Sequence, residues 1–117
     1  MKIKIVKEKI SREEIEELAK EFYITLLKGV VDIEKEIMAL GGEYHMDANM
    51  ELLEKEESKQ ENIWGFNIIV GKTGDEMIEY VSLINIRPNQ NNRQMEIESE
   101  DLRQKMKSVI LKFINNE

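Results

Sequence analysis

Cysteine is absent from the chain, and with it go several chemistries. Disulfides, thiolate nucleophiles, zinc-finger sites and iron–sulfur clusters are excluded. Proline occurs once, at Pro88. No apolar run approaches the length of a membrane span. The opening MKIKIVKEKI alternates charged and apolar residues, so no signal peptide is expected. Basic residues are in deficit: 17 Lys and Arg stand against 24 Asp and Glu, a net charge of -7. A field of that sign repels nucleic acid and anionic membrane. Phosphate-binding loops and dinucleotide fingerprints are missing; Gly71-Lys72-Thr73-Gly74 lacks the required spacing. The expectation is a cytoplasmic protein with neither nucleic acid nor membrane among its partners.

What the chain does have is an ordinary folded composition, 41% apolar and 35% charged over 117 residues. That is one domain, 1–117, long enough to bury a core without staples.

Lys2-Ile3-Lys4-Ile5-Val6 alternates with period two and predicts a short strand. Ser11, with Glu14 three residues on, is a capping-box start for a helix. Apolar residues then recur at Ile15, Leu18, Phe22, Leu26, Val30, Ile33, Ile37 and Leu40 in steps of three or four. That spacing predicts a long helix, stopped by Gly41-Gly42. At about 45 Å it would overshoot a small domain, so a kink or break is expected between Tyr23 and Gly29.

From Glu43 to Leu52 polar and apolar residues alternate, which predicts a strand. Asp47 could instead cap a helix through Leu53. Ile63 to Val70 is the strongest strand by aromatic and β-branched content, with Trp64, Phe66, Ile68 and Val70 on one face. A further strand is read from Met77 to Ile86, ended by Pro88, and a short one near Met95-Glu96-Ile97. Ser99 caps a last helix whose inward stripe is Leu102, Met106, Val109, Ile110 and Phe113. The order predicts an α+β two-layer sandwich: an antiparallel meander of four to five strands on a long N-terminal helix and a C-terminal helix.

The pleat then gathers polar residues on the face away from the helices. Glu43, His45, Asp47 and Asn49 would lie on one strand, Gly65 and Asn67 on the next, and Glu79, Asn85 and Arg87 on a third. Gly65 would leave a hollow among them. Glu43, His45 and Asp47, two apart on a strand, could converge on a divalent metal, although a solvated or salt-bridged face gives the same triplet. No other cofactor is implied. Arg87 and Arg93 flank a run of amides and could hold a carboxylate or phosphate, or they could pair with Glu96, Glu98 or Asp47 around a turn. Serine nucleophiles are scarce and lack an elbow pattern.

Three blocks, "LGGEYHMDA", "IWGFNI" and "SLINIRP…NRQMEI", resemble a family of short prokaryotic proteins of unknown function over residues 2 to 114. Glu57 and Gln94 stand where that family pattern has a glycine and a serine. The resemblance implies a recurring domain and no reaction. The sequence therefore supports a small polar or anionic ligand held by His45, Asp47, Asn67, Asn85, Arg87 and Arg93. The alternatives are an interaction or homodimerisation module without chemistry, and a metal-dependent or His-based hydrolase.

Overall fold

The computed structural model describes residues 1–114; the last three residues of the expected domain lie outside it. Its elements are β1 (Ile3–Val6), α1 (Arg12–Ala19), β2 (Leu26–Asp32), β3 (Ile37–Gly41), α2 (His45–Lys55), β4 (Ile63–Ile69), β5 (Ile78–Glu79) and α3 (Glu100–Phe113). The strands form one antiparallel sheet in the order β1-β3-β2-β4-β5.

The expected long N-terminal helix is not formed. Only its first two turns exist, as α1, capped by the Ser11 hydroxyl accepting from Glu14 N at 3.1 Å. The rest is a β-hairpin, β2 and β3. Asp32 makes its turn: Oδ1 accepts from the N–H groups of Glu34 and Lys35, each at 2.9 Å, and Glu36 closes it at φ 55°. Gly41 and Gly42 do adopt positive φ, but they turn the chain from β3 into α2.

A second correction concerns residues 43–52. From His45 onward they coil into α2, with His45, Ala48, Asn49 and Leu52 buried at helical spacing. Two of those inward residues are polar, while Tyr44, Met46 and Met50 are exposed. The hydropathy alternation thus tracked chemistry and missed burial.

Helices cover both faces of the sheet, so the two-layer expectation also fails. On one face α1 and α3 pack with Val31, Met38, Leu40, Trp64, Phe66 and Ile68 in the larger core. On the other, α2 lays Ala48 and Leu52 over Val30, Ala39 and Ile63. Burial of each large apolar side chain contributes about 1.5–3 kcal/mol. The predicted shared face of Trp64, Phe66, Ile68 and Val70 holds, as does the inward stripe of α3, whose N-terminus Ser99 caps.

Beyond β4 the expected strand from Met77 to Ile86 shrinks to β5, two residues long, pairing Asn67 with Glu79 and Ile68 with Ile78. Near Met95 only an isolated bridge, Val81 to Glu96, remains. A meander is therefore absent: β4 lies beside β2 and β1 beside β3. Glu57 sits at φ 57°, the left-handed region that glycine enters freely.

Candidate functional site

The short β5 leaves most of the outer edge of β4 without a partner strand. Side chains from the amide-rich loop complete it. Asn85 Oδ1 accepts from Gly65 N at 2.8 Å, and its Nδ2 donates to Gly65 O at 3.0 Å and Met95 O at 3.2 Å. A side-chain amide thus stands in for a strand's peptide group. Arg87 donates to Gln60 O at 2.8 Å and to Ile63 O, and its guanidinium lies 3.7 Å over the Trp64 ring. Burial lowers its pKa to about 10, which leaves it charged at neutral pH. Asn92 ties the loop to itself, donating to the carbonyls of Asn85, Gln94 and Glu96 and accepting from Glu98 N. Hydrogen-bonding capacity is concentrated at 85–92 because a strand edge must be satisfied there.

The predicted site residues therefore separate. Asn85 and Arg87 are engaged with backbone. Arg93 is exposed, and its N–H donates to Glu98 Oε2 at 2.7 Å. Asp47 caps α2, its Oδ2 accepting from Glu43 N at 3.0 Å and Tyr44 N at 2.9 Å. Glu43, His45 and Asp47 share no strand face, and among the described residues no three acidic or histidine side chains cluster around a possible cation. The hollow expected at Gly65 is filled: a Cβ there would lie 2.5 Å from Ser82 Cβ and 3.2 Å from Ile84 Cγ1.

His45 and Asn67 do come together, with help from two residues outside the sequence-derived site. Asn67 Nδ2 donates to Glu79 Oε1 at 2.8 Å and to Val81 O at 3.3 Å. Both partners only accept, so the amide orientation is fixed and Oδ1 faces His45. His45 Nε2 lies 2.9 Å from that Oδ1 and 2.9 Å from Phe66 O. Two acceptors at one nitrogen require Nε2 to carry the proton. The ring is neutral: burial first, then the charge of Lys28, lower its pKa to about 4, against the hydrogen bonds to Phe66 and Asn67 and the charge of Glu79. Nδ1 is then the nitrogen with a free lone pair.

His45, Asn67 and Lys28 border an open cleft of about 440 Å³, walled by Tyr44, Met46, Leu83, Ile84 and Met95. Lys28 lies opposite Asn67 across the β2–β4 pairing, and its ammonium sits 5.1 Å from the Tyr23 ring centroid. It has no carboxylate partner among the described residues. Lys28 escaped the sequence reading because it fell inside the supposed long helix. The signal that could have found it is Leu26-Leu27-Lys28-Gly29-Val30-Val31, an apolar-rich run closing on two β-branched valines, as in a strand buried on both faces. Glu79 was placed on the polar face without a role; it orients Asn67.

Fold and site together define a class: a small α+β domain whose helix-covered antiparallel sheet carries a histidine–amide–carboxylate relay beside an apolar cleft. The chain belongs to the family described as protein of unknown function (DUF5674), whose model matches residues 4–113. The resemblance to a family of unknown function is thereby borne out. No curated protein and no solved structure matches the chain.

Proposed function

We propose that the protein binds a small molecule in the cleft beside His45, with an apolar wall gripping the ligand and a few fixed polar groups orienting it. The observation that carries this reading is the relay Glu79–Asn67–His45. It fixes the imidazole's tautomer and leaves one ring nitrogen without a partner on a side chain that lines the cleft. Ligand sites commonly combine a mainly apolar lining with a small number of placed polar groups, in volumes of roughly 300–1,000 Å³. Asn85 and Arg87, bound to the backbone of the β4 edge, serve as structural residues outside the cleft. A histidine held near pKa 4 is a weak general base at neutral pH, so this reading favours binding over His-based hydrolysis. A cysteine-free chain suits a reducing cytoplasm.

A screen of small amphipathic compounds tests it. Ligands are expected to raise the thermal midpoint and shift the methyl signals of Met46 and Met95 together with the His45 ring. Compounds that bind elsewhere, or a silent cleft across the screen, overturn the reading. A second reading, a homodimer interface, draws on the exposed rim: Tyr44 is 62% and Leu83 69% accessible. A dimer in solution whose contacts include Leu83 supports it; a monomer at high concentration excludes it.

A further inference from the structure

The cleft offers three kinds of contact, and they select one chemistry. This inference rests on the binding reading above and names the ligand class. The geometry points to an apolar-bodied carboxylate that also carries a hydroxyl or N–H donor close to its carboxylate, such as an aryl- or alkyl-substituted 2-hydroxy acid.

The first contact is the Lys28 ammonium. Lys28 is half-buried and lines the cleft, and its ammonium, 5.1 Å from the Tyr23 ring centroid, pairs with no carboxylate among the described residues. Glu79, the carboxylate member of the relay, has Oε1 committed to Asn67 at 2.8 Å. In a chain of net charge -7, a cation held by an aromatic ring, with no carboxylate partner among the described residues, attracts an anion.

The second contact is His45, which lines the cleft and whose Nδ1 is the ring nitrogen left without a hydrogen bond. With Nε2 donating to Phe66 O and Asn67 Oδ1, Nδ1 can only accept. It makes no hydrogen bond and is not sealed inside the protein. A ligand satisfies it only by bringing a donor; a bare carboxylate cannot. Lowered basicity keeps it an acceptor across the neutral range.

The third contact is the wall. Met46, Leu83 and Met95 are 45%, 69% and 41% accessible, large apolar surfaces left open around the two polar groups. Methionine adapts to varied shapes, so the apolar portion of the ligand is the tolerant part. The polar head is the selected part.

Three probes separate these contacts: 3-phenyllactate, its methyl ester, which lacks the charge, and 3-phenylpropionate, which lacks the hydroxyl. Phenyllactate is expected to bind about tenfold more tightly than either, by calorimetry or methionine-methyl titration. In Lys28→Met the acid is expected to lose its advantage over the ester and keep its advantage over phenylpropionate. In His45→Phe, whose ring offers no hydrogen-bond acceptor, the reverse is expected. Equal binding of acid and ester by the native protein, with Met46 and Met95 responding, overturns the ligand class and leaves the cleft reading standing. Binding of phenylpropionate as tight as phenyllactate also overturns the class. No response to any of the three overturns it too, and silence across the wider screen removes the cleft reading with it.

Discussion

His45 concentrates the consequences that one residue can have here. Its native pKa is lowered to about 4, while the unfolded chain titrates near 6.5. Between those values the unfolded state binds a proton that the native state refuses, so stability falls as pH falls through that window. The loss attributable to this residue approaches roughly 3 kcal/mol by pH 4. Urea unfolding of the native protein and His45→Gln at pH 7 and pH 4.5 should show a markedly shallower pH dependence in the variant. Equal slopes would mean that the imidazole is not desolvated. Asn85 is the complementary case, a neutral residue whose amide replaces a strand. Asn85→Ala would strand Gly65 N and O at a buried edge and is expected to cost about 3 kcal/mol. A loss under 1 kcal/mol in chemical denaturation would show that water satisfies that edge as well.

At the scale of elements, what was legible depended on how many faces of each element are buried. α3 is amphipathic and capped, and its stripe was readable. β1 and β4 announced themselves by alternation and by β-branched and aromatic content. β2 and β3 are buried on both faces, so no period-two signal survived. Their apolar residues fell by coincidence on helical spacing, and the Asp32 turn was overlooked. α2 failed in the opposite sense: its inward face includes His45 and Asn49, and Asn49 forms a reciprocal amide pair with Gln60 at 2.7 and 2.8 Å. Polar residues satisfied inside a fold look like surface residues in a sequence. For the site, His45 and Asn67 were found through a wrong strand assignment. The helix N-terminus brings His45 to the face of β4 that the pleat had correctly given to Asn67. Asp47, once a candidate ligand, makes its own element-scale prediction as a cap. Asp47→Ala should lower stability by about 1 kcal/mol and reduce amide protection at the start of α2, with divalent metals changing neither. A metal-dependent rise in the native midpoint that vanishes in Asp47→Ala would restore the ligand reading.

The whole molecule is a sheet sealed on one face by α1 and α3 and partly sealed on the other by α2. The amide-rich loop at 82–98 finishes the side that β5 leaves short. The cleft lies where those two incomplete covers meet, between the N-terminus of α2 and the loop, and this is why its walls come from both. Lys28, its ammonium 5.1 Å from the Tyr23 ring centroid, is a local cation on that cleft in a chain of net charge -7.

The most direct measurement uses the fact that the chain has a single histidine. Nitrogen-15 NMR of the His45 ring, followed from pH 8 to pH 3.5, reports its tautomer and midpoint without assignment ambiguity. The account predicts a neutral ring protonated at Nε2 at pH 7, titrating near 4. A ring protonated at Nδ1, or one titrating close to the free value of about 6.5, would contradict the relay and the binding site built on it.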